Sequence, residues 1–180
     1  MKFLCQFILF KVLGWKVIND FPKLNKYVII AAPHTSWVDF PIAIMVKFAK
    51  GAKVNYIGKT SLFKGPFGFF FRWLGGAPVD RSNNNNVVDA IVDIFNSRDH
   101  FILGLSPEGT RQKVTEFRTG FYYIAKGAQV PVVMATLNFA DKEIKIADPY
   151  YLTDNKEADF EHFYAYFRGV KGKKPELSFD

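Results

Sequence analysis

The chain has 180 residues, a length that suits one domain with a sizeable core. Its residues are 49% hydrophobic and 17% aromatic, with 20 Phe, which excludes a disordered chain. A net charge of +7 favours a polyanionic partner (nucleic acid, an anionic membrane surface or a phosphorylated substrate), while the one cysteine, Cys5, excludes an intramolecular disulfide, supports no zinc site and fits a reducing compartment.

Residues 1–16 are greasy: Phe3, Leu4, Phe7, Ile8, Leu9 and Phe10 precede Lys11, Trp15 and Lys16. No stretch of the chain reaches the roughly 18 apolar residues that span a bilayer. A secretory signal is not expected, because lysines interrupt the run and no small-x-small cleavage site follows. Two readings stay open. The segment is an amphipathic helix in the membrane interface, with snorkelling lysines and Trp15 at headgroup level, or it is a terminal helix packed on the core. Residues 17–180 read as a single domain with neither repeat nor linker.

The first buried strand is Tyr27–Ala32, stopped by Pro33, which biases Ala32 toward an extended conformation. Directly after it comes Pro33-His34-Thr35-Ser36-Trp37-Val38-Asp39-Phe40-Pro41, an H-x4-D arrangement. Asp39, with Pro41 two residues on, marks the start of a helix over Asp39–Lys50. A histidine at a strand end and a carboxylate at the next helix start can fold back on each other. The carboxylate then takes a hydrogen bond from one imidazole nitrogen and leaves the other as a base for a hydroxyl. The same spacing also suits an aspartate that only caps a helix.

Val54–Gly58 is the next strand. Lys59–Arg81 follows, where glycines and prolines break any long helix. Phe63, Phe67, Phe69, Phe70, Phe71 and Trp73 alternate there with Lys59, Lys64, Arg72 and Arg81. Basic residues beside aromatics can bind single-stranded nucleic acid. Consecutive phenylalanines without polar readers of base edges suit an acyl chain, a bilayer or plain core packing better, so nucleic acid is not expected. After the polar Asn83–Asn86 loop, Asn86–Asn96 carries Val87, Val88, Ile91, Ile94 and Phe95 on one helical face.

The strand Phe101–Leu105 leads into Ser106-Pro107-Glu108-Gly109-Thr110-Arg111. Pro107 and Gly109 make a turn that puts Glu108, Thr110 and Arg111 at a strand end, where ligands collect in α/β sheets. Arg111 offers a donor fork matched to phosphate, and Thr110 a hydroxyl. Glu108 would repel phosphate, so it is expected to hold an arginine or to accept a bond from a substrate hydroxyl. An ordinary turn with a surface ion pair is the alternative. Gly104-Leu105-Ser106-Pro107-Glu108 approaches the G-x-S-x-G elbow of serine hydrolases. Pro107 lacks the N–H needed at the oxyanion and Glu108 replaces the last glycine, which argues against a serine nucleophile.

A short helix over Gly120–Ala128, strands over Val130–Leu137 and Glu143–Ala147, and a helix over Asp159–Val170 complete the pattern, ahead of a basic, mobile tail from Lys171 to Lys174. Strands alternating with helices predict an α/β fold, a single-layer central mixed sheet flanked by helices.

Taken in order, the blocks resemble the glycerophospholipid acyltransferase family, whose best-known members acylate 1-acyl-glycerol-3-phosphate. They are His34 with Asp39; Gly76-Ala77-Pro78-Val79-Asp80-Arg81; Pro107-Glu108-Gly109-Thr110-Arg111; and Val130-Pro131-Val132-Val133. Phe117-Arg118-Thr119-Gly120 is similar to the family's Phe-Lys-x-Gly, and the resemblance spans residues 27–137. Ser106 stands where the family usually has Phe, and Met134 near the place of a second proline.

The resemblance implies a glycerol-3-phosphate acyltransferase-like fold and an O-acyl transfer. His34 would deprotonate an acceptor hydroxyl, which attacks the thioester of an acyl donor, and Asp39 would fix the imidazole tautomer. Arg81, Glu108, Gly109 and Arg111, with Thr110 beside them, would bind glycerol phosphate. It further implies acyl-CoA or acyl-carrier protein as co-substrate without a cofactor or metal, a lysophospholipid acceptor, and peripheral attachment to an anionic membrane surface at its cytoplasmic face. The competing expectations are another lysolipid or hydroxylated acceptor, a non-catalytic lysolipid- or acyl-binding protein, and a hydrolase in which water attacks.

Overall fold

The computed structural model describes residues 1–79 and 84–179. Lys2–Gln6 forms helix α1, which runs on as a π-helical stretch over Phe7–Val12, and Lys16–Ile18 forms strand β1. Then follow β2 (Lys26–Ala32), α2 (Asp39–Lys50), β3 (Val54–Lys59), α3 (Ser61–Lys64), α4 (Gly68–Trp73) and β4 (Gly76–Val79). The second half is α5 (Asn84–Ser97), β5 (Phe101–Leu105), α6 (Gly120–Gly127), β6 (Val132–Thr136), β7 (Glu143–Lys145) and α7 (Lys156–Phe167).

Five strands make one sheet in the order β4-β3-β5-β2-β6, and each neighbouring pair runs parallel. Parallel neighbours need crossovers, which the helices supply. The architecture is the α/β sheet flanked by helices that the sequence predicts. Its antiparallel component is small: isolated bridges pair Val132 with Tyr150 and Ala135 with Ile146. The segment expected as a strand over Glu143–Ala147 shortens to β7 and leaves the main sheet to pair with β1.

Successive side chains of β2 point to opposite faces, so one strand serves two cores. Val28 and Ile30 join Phe95, Leu103, Phe121 and Phe163 beneath α5, α6 and α7. Tyr27 and Ile29 join Leu9, Ile42, Val46 and Ile102 beneath α1 and α2. Each large ring taken fully from water contributes about 1.5–3 kcal/mol, and the rings of Phe95 and Phe101 meet edge to face at 4.8 Å.

Three local outcomes decide between expectations or differ from them. Trp15, which one of the two readings of residues 1–16 places at headgroup level, is buried and packs edge-on against Phe139 at 4.9 Å, as the core-packed reading has it. Lys171–Lys174, expected to be mobile, is tied to the body: Lys174 N donates to Thr35 Oγ1 at 3.1 Å, Gly172 N to Ser178 Oγ at 2.9 Å, and Phe179 is buried against Phe117. The final helix begins at Lys156 rather than Asp159, because Asn155 Oδ1 caps it by accepting the Ala158 N–H at 3.0 Å. Among the described residues no helix is long and apolar enough to cross a membrane.

Candidate active site

Two neighbouring strands send their chains to opposite sides of the sheet. After β2 the chain enters α2, which packs on one face; after β5 it runs to α6, which packs on the other. The diverging connections leave a crevice at the carboxyl ends of β2 and β5, the usual place for a ligand in an open parallel sheet. His34 follows β2 by two residues, and Glu108 follows β5 by three. Topology brings them together there.

His34 Nδ1 lies 3.0 Å from Asp39 Oδ2. That same oxygen accepts the backbone N–H of Thr35 at 2.9 Å and of Ser36 at 2.8 Å. An oxygen serving two amides acts as an acceptor toward the ring as well, so Nδ1 is the donor in this pair. Asp39 therefore folds back over the loop instead of capping its own helix. It is 4% exposed, and its Oδ1 is buried with no hydrogen-bond partner among the described residues. The His34 side chain remains partly exposed toward the crevice.

Among the described residues Glu108 clamps no arginine and faces no surface ion pair. It is 2% exposed, and its Oε2 accepts the His34 N–H at 2.7 Å and the Ser106 hydroxyl at 3.0 Å. Burial pushes its carboxyl pKa up, and the charge of Asp39 adds to that; the bonds from His34 N–H and Ser106 and the charge of His34 oppose it. Ser106 thus donates to the glutamate two residues on. Gly109 sits at φ 63°, and a Cβ there would collide with the Arg118 side chain lying across it.

The crevice opens into a cavity of about 1290 Å³. His34, Asp39, Gly109, Thr110, Arg111 and Arg118 all line it, so the first and third sequence blocks share one space. Arg111 and Arg118 are exposed cations, while Thr110 is half-buried and its hydroxyl accepts the Gln112 N–H at 3.2 Å. Much of the remaining wall is apolar, including Phe40, Ile44, Ile57 and Ile91. Arg81, the fifth residue expected in the substrate site, lies outside the described residues.

Sequence reading missed several contributors. Ser106 could have been found, since it stands two residues from Glu108 on the same turn. Thr35 could not: its hydroxyl meets Lys174 across 139 positions, and no local pattern encodes that contact. Lys47 reaches the cavity wall from α2 and donates to Leu74 O at 2.6 Å, burial lowering its pKa.

The acyltransferase family model matches residues 15–137. The chain is 27% identical over 121 residues to a 1-acyl-sn-glycerol-3-phosphate acyltransferase of Streptococcus pneumoniae, covering 66% of this chain and 44% of that protein. It is 34% identical over 103 residues to the Mus musculus 1-acyl-sn-glycerol-3-phosphate acyltransferase epsilon, covering 54% of this chain and 28% of the mouse protein. It thus spans less than half the length of the curated relatives it matches. Among solved structures it is similar to the crystal structure of PlsC, the 1-acyl-sn-glycerophosphate (LPA) acyltransferase from Thermotoga maritima. That match has a TM-score of 0.63, covers 94% of this chain and 79% of the other, and at 22% identity is a likeness of fold.

Proposed function

Because the chain belongs to the acyltransferase family, we propose that it moves a fatty acyl group from an acyl thioester to the free hydroxyl of a lysophospholipid, 1-acyl-glycerol-3-phosphate above others. The observation that carries this is the His34–Asp39 pair, 3.0 Å apart and pinned by two backbone amides at the mouth of the cavity. A hydroxyl is a poor nucleophile near neutral pH, and a positioned base contributes about 10²–10⁴-fold.

His34 Nε2 takes the proton of the acceptor hydroxyl as its oxygen attacks the thioester carbonyl. Asp39 holds the ring in the Nδ1–H tautomer and stabilises the imidazolium that forms. The tetrahedral intermediate collapses by breaking its C–S bond, and the leaving sulfur takes the proton from His34 as a free thiol. The products are an ester and the thiol, and the histidine returns neutral. The chemistry calls for no cofactor, acyl-CoA or acyl-carrier protein being the co-substrate.

Arg111 binds the acceptor's phosphate, with Arg118 and Thr110 beside it; their place in the wall that also holds His34 supports this role. Glu108 acts on the base by holding its main chain and leaves the acceptor to the arginines. The apolar wall receives an acyl chain. Attachment is peripheral, to an anionic bilayer at its cytoplasmic face, through residues 1–16; the exposed Phe3 on α1 and Phe7 at the start of the π-helical stretch support that attachment.

The experiment is a panel: purified protein, labelled acyl-CoA or acyl-carrier protein, and lysolipids that differ in headgroup. Ester formed fastest on lysophosphatidate is the expected result. Fastest transfer to an unphosphorylated acceptor would move the reading to another lipid class, and release of free fatty acid alone would make the protein a hydrolase.

A further inference from the structure

We propose that α4 and the turn before it form a membrane-inserting ridge, so that α1, α2 and α4 together are the face this protein lays on an anionic bilayer. The inference rests on the membrane attachment proposed above and extends it beyond the N-terminal segment.

Phe67 and Phe69 project into solvent, 68% and 74% exposed, and Phe70 and Trp73 beside them are exposed as well. Their backbone is fixed from below. Phe63 is buried, and Gly68 packs so closely on the Phe63 carbonyl that a Cβ would collide with it. A ridge of aromatic rings on a braced support is costly in water and favourable at the boundary between headgroups and acyl chains.

Position and charge identify the occupant. Gln6 Nε2 donates to Ala49 O at 3.0 Å, which seats α1 against one end of α2. The Trp73 ring lies 5.4 Å from that of Phe48, which seats α4 against the same end. The helical elements of this layer carry six cations against one carboxylate, the buried Asp39. Lys50 is paired with Asp20 at 2.6 Å and Lys47 is turned in to Leu74 O, which leaves Lys2, Lys11, Lys64 and Arg72 exposed to a bilayer. Helices α5 and α7 of the opposite layer carry Asp89, Asp93, Glu157, Asp159 and Glu161 against Lys156, and α6 adds Lys126. One face is therefore cationic and aromatic, the other mostly acidic. An anionic bilayer complements the first face. A second copy seated on this same face about a two-fold axis would press Lys64 and Arg72 against like charges. Helix α2 also supplies Phe40, Ile44 and Lys47 to the cavity wall, so a bilayer seated on α1 and α4 lies beside the reaction space.

The test uses the full chain with phosphatidylcholine–phosphatidylglycerol vesicles. In a Trp37→Phe background, acyl-brominated lipids should quench Trp73 and shift its emission to the blue, Trp15 being buried in the protein. Phe67→Ser with Phe69→Ser, neither of which makes an aromatic ring contact among the described residues, should weaken vesicle partition about tenfold or more. If the full chain ignores the vesicles, the membrane reading falls and the ridge with it. If Phe3→Ser with Phe7→Ser weakens partition while the Phe67/Phe69 pair does not and Trp73 stays unquenched, attachment stands and the ridge is overturned. Unchanged partition with a changed oligomeric state in light scattering would make the ridge a self-association face and overturn the proposal equally.

Discussion

Glu108 Oε2 accepts the backbone N–H of His34 at 2.7 Å, so a buried acid at the end of one strand fixes the main chain at the end of its neighbour. Asp39 fixes the ring and Glu108 fixes the peptide that carries it. The two carboxylates of the site thus have separate tasks on one histidine. Removing the second task should be felt in turnover more than in binding. Glu108→Ala leaves the His34 N–H and the Ser106 hydroxyl without their acceptor, at a cost of about 1–3 kcal/mol in stability. Denaturant titration and steady-state kinetics should find lower stability and lower kcat, with KM for the acceptor nearly unchanged; a rise in KM alone would return Glu108 to the acceptor.

The raised pKa of Glu108 has a sign that can be measured. Burial is its main cause, so the folded protein holds this proton more tightly than the unfolded chain does. Stability is then lost as pH rises from the ordinary glutamate range through the raised value. Glu108→Gln lacks that loss. Its stability relative to the wild type should improve with pH across the window, read by chemical denaturation at a series of pH values. A gap that ignores pH would contradict the assignment.

His34→Ala should lower kcat/KM by about 10²–10⁴-fold or more, with circular dichroism unchanged. Asp39→Asn should cost nearly as much, since its oxygen orients the ring and neutralises the imidazolium. Residues that act as a unit give non-additive losses, so the double variant should resemble the worse single variant. Fully additive losses would mean two independent contributions.

Arg111→Lys should weaken the phosphorylated acceptor roughly tenfold, because a point charge does not reproduce the planar fork. KM for an unphosphorylated lysolipid should stay put. Equal effects on both acceptors would remove phosphate from the role of Arg111.

At the N-terminus one helix divides into two kinds of position. Leu9 is fully buried, whereas Phe3 is 83% exposed. Leu9→Ala should cost about 2–5 kcal/mol in stability. Phe3→Ser should stay within about 0.5 kcal/mol while weakening vesicle binding. Deleting residues 1–16 would remove Cys5, Leu9 and Trp15 from the core, so point variants separate folding from attachment where a truncation does not.

The sequence made the centre of this fold legible and its margins less so. Tyr27–Ala32 and Phe101–Leu105 are apolar because both faces are covered, and both appear as β2 and β5 within a residue of expectation. Strand β4 was not foreseen: Gly76 and Pro78 are poor strand formers, tolerated because β4 is an edge. Strand β1 has three residues and no alternation to reveal it. For the site, local spacing sufficed for His34 and Asp39, five residues apart on one turn. The role of Glu108 was not legible, since its partner is 74 positions away and only the β2–β5 pairing joins them. For residues 1–16 periodicity alone does not separate a core-packed helix from an interfacial one: Cys5, Leu9 and Trp15 are buried, while Phe3 and Phe7 are exposed.

The central claim is that His34 activates a lipid hydroxyl against a thioester. Its most direct test measures thiol released and ester formed in the same reaction, with labelled acyl-CoA and lysophosphatidate, for the wild type and His34→Ala. The account predicts one ester for each thiol in the wild type, no thiol release beyond background without acceptor, and loss of both products together in the variant. Thiol release that continues without acceptor, or ester formation that survives His34→Ala, would contradict it.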